Sequence, residues 1–349
     1  MKSDDWLLRL IGWSSLLVAI LFISTGSAIT MGAAKVGFWE VWQVLGYHIL
    51  GSLVPEPDPA AMAIVWQIRL PRVILAVLVG ASLAGAGVVF QGLLRNPLAD
   101  PYVLGVSSGA ALGAAVAIFT GWGSFLLKGW TVPAWAFVTA CVALFAVLRL
   151  ARIGPMVRVE SLILSGVVVQ AFFGAILTYM IATVSAQEMQ RIQFWLMGSL
   201  ALREWEQTLA IFPFLFAGLA VIWLFSRSLN LFALGEESAG HLGVAVHRTR
   251  LLLLLTATLM TAAAVSVSGT IGFVGLVIPH VMRMLCGSDH RVLIPVSALA
   301  GSVFLVWADT LARTVLDPRE LPIGVITAFV GAPFFAWLLK RKRGRVFHS

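Results

Sequence analysis

Apolar runs of roughly 20 residues recur along almost the whole chain, each long enough to cross a hydrocarbon core about 30 Å thick. "LAIFPFLFAGLAVIWLF" (209–225) and "LLLLLTATLMTAAAVSV" (251–267) are two of them. Inside lipid each backbone N–H and C=O has to find its partner within the protein, so such runs must be helices or closed barrels. A barrel strand alternates apolar and polar residues, and these runs are continuous. The fold class is therefore all-α and polytopic. Composition agrees: 60% of residues are hydrophobic and 11% charged, against about 25% charged in soluble domains.

Setting the apolar runs against glycine, proline and charge clusters places candidate spans at 10–30, 71–92, 103–120, 132–150, 161–183, 205–225, 249–268, 272–286, 292–313 and 323–340. The eighth is short and rich in glycine, which predicts a tilted or irregular segment. Lys2 and Arg9 precede the first run as they would in a secretory signal. That run continues to Ala28, beyond the 7–15 apolar residues of a cleaved signal, so it is expected to stay as the first span.

The 24 Lys and Arg residues orient the bundle. With both termini in the cytoplasm, about two thirds of them fall on the inner side, among them Lys2, Arg9, Arg95, Arg149, Arg152, Arg158, Arg227, Arg248, Arg250, Arg283, Arg291 and the tail "KRKRGR". The expected organisation is one transmembrane domain over 1–349. It comprises a first span and outer segment (1–64), spans two to six (65–225), a polar cytoplasmic segment (226–248), four further spans (249–340) and a basic tail (341–349). Spans two to five and seven to ten enter from opposite sides, as an inverted repeat would. The small-residue stretches "GASLAGAG" (80–87) and "GVSSGAALGAA" (105–115) are expected to be helix-packing faces.

Several chemistries find no support. No Gly-Lys pair occurs, so there is no Walker A phosphate loop, and "GASLAGAG" lacks both the dinucleotide glycine spacing and a preceding strand. The six histidines are scattered without metal-ligand spacing. Cys141 and Cys286 lie in or beside apolar runs and show no paired spacing. No catalytic residue, bound cofactor or metal site is expected.

The polar residues that interrupt the apolar pattern are more informative. Asp309 is the one clear ionisable group within a span, a costly placement that marks either an ion site or an internal pair. Arg313 lies one helical turn away and offers the pair. Arg69 and Arg72 flank "LP" at the mouth of the second span, with Pro71 suited to a first helical turn. From the residues alone, snorkelling to headgroups and bidentate capture of a partner's carboxylates fit them equally. "FALGEESAGHLG" (232–243) sets Glu236, Glu237, Ser238 and His241 between glycines, amid two highly apolar segments. Ala239, Leu242 and Val244 recur at near-helical spacing, which predicts a short amphipathic docking helix rather than a plain loop.

Together the blocks "IRLPR", "QGLLRNPLADPYVLGVSSGAALGA", "FWLMGSL", "LGEESAGHLG", "GTIGFVGLVIPHVMRM", "DHRVLIPVSALAGSVFLVWADTLAR" and "ELPIGVITAFVGAPFFAWLL" resemble the permease subunits of type II ATP-binding-cassette (ABC) importers for iron chelates, haem and vitamin B12. The likeness runs in order from about residue 65 to 340. It implies ten spans per subunit, a homodimer with the pathway at its interface, two separate ATPase subunits that use the ATP, an external substrate-binding protein, and a bacterial inner-membrane location. It also implies that Gly235, Glu236, Glu237, Ser238, His241 and Gly243 contact the ATPase, that Arg69, Arg72 and Arg313 face acidic residues of the binding protein, and that "EMQRIQFWLMGSL" belongs to a gate. The competing expectation is an ion-coupled secondary transporter that uses Asp309; a passive membrane scaffold is a third.

Overall fold

The computed structural model describes residues 5–346 apart from 33, 35, 154–155 and 158; Lys2, Arg158 and residues 347–349 lie outside the described residues. In chain order the main helices are α1 (Asp5–Thr30), α2 (Phe38–Leu50), α3 (Leu70–Leu93), α4 (Val106–Thr120), α5 (Thr131–Ala151), α6 (Val159–Thr183) and α7 (Ala186–Leu196). They continue with α8 (Ile211–Leu224), α9 (Ser226–Phe232), α10 (Glu236–His241), α11 (Val246–Ser268), α12 (Val274–Cys286), α13 (His290–Thr314) and α14 (Ile323–Val346). Apart from a two-residue antiparallel pairing, Arg152 with Val157 and Ile153 with Met156, the regular structure among the described residues is helical.

Among the described residues, seven segments are long and apolar enough to span a membrane, and the apolar stretches Val106–Thr120, Val274–Cys286 and Ile323–Ala336 are shorter. Each coincides with an expected span, with ends shifted by a few residues. The largest difference is at the second. Asp58 caps a turn over Pro59–Met62 by accepting from Ala60 N at 3.0 Å and Ala61 N at 3.1 Å. The chain then passes through a π-helical turn, Ala63–Arg69, into α3, making one rod of 35 residues. Hydropathy reports only the lipid-depth part of such a rod.

α3 is the axis of the molecule: 89% of the apolar window in its rod is buried, against 11% for α1. The small-residue expectation holds here. A Cβ on Gly80 would stand 2.3 Å from the carbonyl oxygen of Gly301 in α13, and one on Gly87 would stand 2.0 Å from that of Gly275 in α12. Backbones this close give dispersion contacts that no larger residue permits, which is how helices associate where lipid is as apolar as leucine. Gly113 of α4 meets the Trp135 carbonyl of α5 in the same way, at 2.3 Å.

Two non-helical segments lie beside this core, and side chains satisfy their backbone. Between α3 and α4, Pro101–Leu104 forms a short 3-10 turn started by Asp100, which accepts from Tyr102 N at 2.8 Å. The Tyr102 hydroxyl donates to Ile271 O at 2.8 Å and accepts from Ile271 N at 3.2 Å, tying this turn to residues 269–273 ahead of α12. Gln170 of α6 donates to Tyr102 O at 2.8 Å, and Gln91 of α3 donates to Leu276 O at 3.0 Å. Irregular backbone at membrane depth is stable only when its polar groups are covered in this manner. The short eighth span is therefore a 13-residue helix, α12, preceded by an irregular stretch, as its glycines predict.

Candidate functional site

α13 is 25 residues long, so its ends lie some 37 Å apart at about 1.5 Å per residue. Polar constellations form at both. At the C-terminal end, Asp309 sits on the face toward α3 and is almost wholly buried. Arg72 grips it: Nε donates to Oδ1 and Oδ2 at 3.0 Å each, and Nη2 lies 2.9 Å from Oδ1. Its Nη1 donates to Glu320 Oε1 at 2.9 Å and Oε2 at 3.0 Å; Glu320 stands in the connection to α14 and is half-exposed. Arg313 Nε is 3.7 Å from Asp309 Oδ2. The expected Asp309–Arg313 pair is thus present as the weaker contact, and Arg72, far away in sequence, is the closer partner.

The remaining positive charge meets a helix end. α1 finishes with carbonyls that have no intrahelical donor, the negative pole of its dipole. Arg69 Nη1 donates to Ile29 O at 2.8 Å and to Thr30 O at 3.2 Å, Arg69 Nη2 donates to Ala34 O, and Arg313 Nη2 donates to Ala28 O. Arg69, Arg72 and Arg313 are all more than nine-tenths buried. Expected to face acidic residues of a partner, they lie under the surface of this chain. The π turn ends at Arg69, and the two guanidinium groups of "RLPR" reach different helices, α1 and α13.

At the N-terminal end of α13 the expected short helix is present as α10, six residues long. Gly235 precedes it at φ +111° and Gly243 follows at φ +89°, backbone positions that a side chain would strain. Ala239 is fully buried and Val244 packs on the core. Leu242 differs from the expected apolar face: it is 60% exposed, because α10 stops at His241 and the chain turns away. Glu236 pairs with the buried Arg250 of α11, and Glu237, Ser238 and His241 are exposed. One charge anchors the helix to the bundle while its neighbours face out.

Beneath α10 lies a floor of polar contacts that no motif in the sequence marks. Asn230 of α9 donates from Nδ2 to Asp289 Oδ1 at 2.8 Å, and its Oδ1 accepts from His290 N at 2.9 Å and contacts His290 Nδ1 at 2.7 Å. Asp289 starts α13 by accepting from Arg291 N at 3.0 Å. Partial burial works to raise the Asp289 carboxyl, but hydrogen bonds from Arg291 and Asn230 outweigh it and hold the group at about 2. The Arg291 guanidinium carbon lies 4.5 Å from the centre of the Trp6 ring, so α1 joins the same floor. Only "DHR" ahead of an apolar run hinted at a helix cap here.

Between the two ends an apolar groove of about 640 Å³ opens along α14, lined by Leu196, Met197, Thr270, Phe273 and Phe329 among others. α7, the stretch 269–273 and the start of α14 are stitched at its head: Ser199 N donates to Ser268 O at 2.8 Å, Ile323 N to Gly198 O at 3.2 Å and Gly324 N to Met197 O at 3.1 Å. Phe273 holds φ +69°, rare for a bulky residue, with its ring packed over Gly331 of α14. Backbone strain of this kind gathers at functional positions. The segment "EMQRIQFWLMGSL" (188–200) comprises most of α7 and its stitch to α14. Among the described residues no cluster of three His, Cys, Asp or Glu could hold a metal ion.

The FecCD transport family model matches residues 16–341. The chain belongs to that family. Its relatives include the uncharacterized ABC transporter permease protein YvrB of Bacillus subtilis, 43% identical with 98% of this chain and 96% of that protein covered. The cobalamin import system permease protein BtuC of Halobacterium salinarum is 47% identical over 93% of this chain and 87% of its own length. The hemin transport system permease protein HmuU of Yersinia pestis is 39% identical over 94% and 95%. A solved metal-chelate type ABC transporter in an inward-facing conformation superposes with a TM-score of 0.82 at 32% identity, covering 94% of this chain and 98% of that one. This FecCD family member is a multi-pass ABC permease, with the helical fold its apolar runs require.

Proposed function

We propose that the chain is the membrane permease of an ATP-driven importer, passing a metal chelate, haem or corrinoid into the cytoplasm along the interface of a homodimer. The observation that carries this reading is α10. It is a short, glycine-bracketed helix held to α11 by Glu236–Arg250, with Glu237, Ser238 and His241 turned outward and no nucleotide motif in the chain. A protein without its own energy source can be driven only by a partner that binds its two states unequally. In this reading Gly235, Glu236, Glu237, Ser238, His241 and Gly243 seat in a separate ATPase, one per subunit, and both termini are cytoplasmic. The apolar face of α6, with Val167, Val168, Phe172 and Tyr179 exposed, and the groove beside Phe273 face the second copy and the pathway.

At the opposite end, an external substrate-binding protein docks above Arg69, Arg72 and Arg313. Asp309 is buried and stays on Arg72; Glu320 is half-exposed and is the carboxylate that an incoming acidic residue replaces. The competing ion-coupled carrier loses support at the same place. Asp309 has both oxygens on guanidinium groups, so a proton or sodium ion would have to displace Arg72. Reconstitution in proteoliposomes tests the proposal. Uptake of hemin, cobalamin or a ferric siderophore is expected only with a co-reconstituted ATPase, its binding protein and ATP. Uptake by this chain alone under a proton gradient would overturn it.

A further inference from the structure

A second polar site lies at the charge-cluster end, outside all of these contacts. Residues 126–130 and 202–207 enclose a cavity of about 660 Å³, with Lys128, Trp130, Arg203, Glu204, Glu206 and Gln207 on its wall. Gln207 is 7% exposed, and its Nε2 donates to Gly129 O at 2.9 Å. That carbonyl requires a donor, so the amide orientation is set and Oε1 is the buried atom of a residue that lines the cavity. Oε1 has no partner among the described residues, and neither has Nε of Arg203. Burial pulls the Arg203 guanidinium below its ordinary value with no acid compensating it. A buried acceptor and a buried cationic donor left open together describe a ligand that carries both a proton donor and an anion, and Glu204 and Glu206 on the same wall favour a donor that is itself a cation.

The cavity continues into apolar grooves. Leu126 and Leu127 also line a groove of about 330 Å³ with Trp122, Trp135 and Val138. Trp130 also lines one of about 180 Å³ beside Phe137 and Phe214, whose ring centres are 5.4 Å apart. The short helical turn Ser124–Leu127 at their junction exposes Phe125 at 92% and Leu126 at 82%. Two large apolar side chains next to Trp122 and Trp135, which pack at 5.4 Å, place this junction at the membrane interface.

We infer that this is a phospholipid site in the leaflet at the charge-cluster end, specific for a headgroup bearing a primary ammonium, as in phosphatidylethanolamine. The phosphate lies on Arg203 and Lys128, and the ammonium donates to Gln207 Oε1 between Glu204 and Glu206. The two acyl chains run into the Trp122–Trp135 and Phe137–Phe214 grooves. The inference needs only the membrane location and is independent of any cargo.

Native mass spectrometry of the delipidated full chain in detergent, titrated with phosphatidylethanolamine, phosphatidylcholine and phosphatidylglycerol of equal acyl length, tests it. Phosphatidylethanolamine is expected to bind roughly tenfold more tightly than the other two, since the quaternary amine of choline has no N–H and glycerol has no cation. Arg203→Gln and Gln207→Leu should each lower that affinity roughly tenfold. Glu206→Gln, at an exposed position, should reduce the preference over phosphatidylglycerol. Equal binding of the three lipids overturns the inference without recourse to any variant. Unchanged retention in both folded variants does so too, as does soluble phosphoethanolamine competing at lipid concentrations, which would assign the cavity to a free anion.

Discussion

At the Arg313 end of α13, three guanidinium groups are buried and occupied by Asp309, Glu320 and the carbonyls of α1, whereas at the His290 end the charges of α10 stand in solvent beside one anchoring pair. Both ends are polar interruptions of an apolar chain, yet they follow different physics. Buried charges must be matched within the fold, and removing one partner strands the other in low dielectric. Exposed charges contribute little to stability and are free to meet another protein. The comparison separates charges that hold the permease together from charges that stand in solvent.

The sharpest way to break the contrast is Asp309→Ala. It leaves Arg72 and Arg313 without their buried counter-charge and is expected to destabilise the protein by about 3–5 kcal/mol, read as a lowered unfolding midpoint in detergent. Glu320→Gln, on the exposed side of the same guanidinium, should cost no more than about 1 kcal/mol. Equal effects would mean that the cluster is uniformly solvated and the distinction is false. At the other end, Glu237→Lys should leave the unfolding midpoint within about 0.5 kcal/mol of wild type while weakening pull-down of the ATPase. An unchanged pull-down would remove the coupling role from α10.

The smallest effect is a pH dependence at the floor. The Asp289 carboxyl is held at about 2 in the folded protein, below the ordinary value near 3.9. Its contribution to stability is therefore full above about pH 4 and lost as the pH falls toward 2. Asp289→Asn should be less stable than wild type at pH 7, and the two should converge between about pH 4 and pH 2. A gap that persists undiminished at the acid end would show that the carboxylate charge is not what holds α9 to α13.

Much of the fold was legible because lipid imposes a simple rule. Long apolar runs mark the spans, the glycines of "GASLAGAG" mark the tightest crossing, and the glycines around 269–275 mark the irregular approach to α12. The polar α10 was legible for the complementary reason: charges between two apolar spans have nowhere to be except at an end. The partners of Arg69, Arg72 and Arg313 within the chain were not legible, since sequence spacing carries no information about which carbonyls or carboxylates lie across the bundle. Asn230, Glu320 and Gln207 carried no local signal, because each matters only through residues distant in the chain.

Periodicity and hydropathy are properties of neighbours along the chain, so the sequence by itself determined that this is a helical bundle in a membrane with a polar helix displayed at one end. Electrostatic pairing depends on distance through space and on the exclusion of water. Only the tertiary structure could therefore decide that Arg72 belongs to Asp309, that Arg69 and Arg313 close the end of α1, and that Arg203 and Gln207 are left open together.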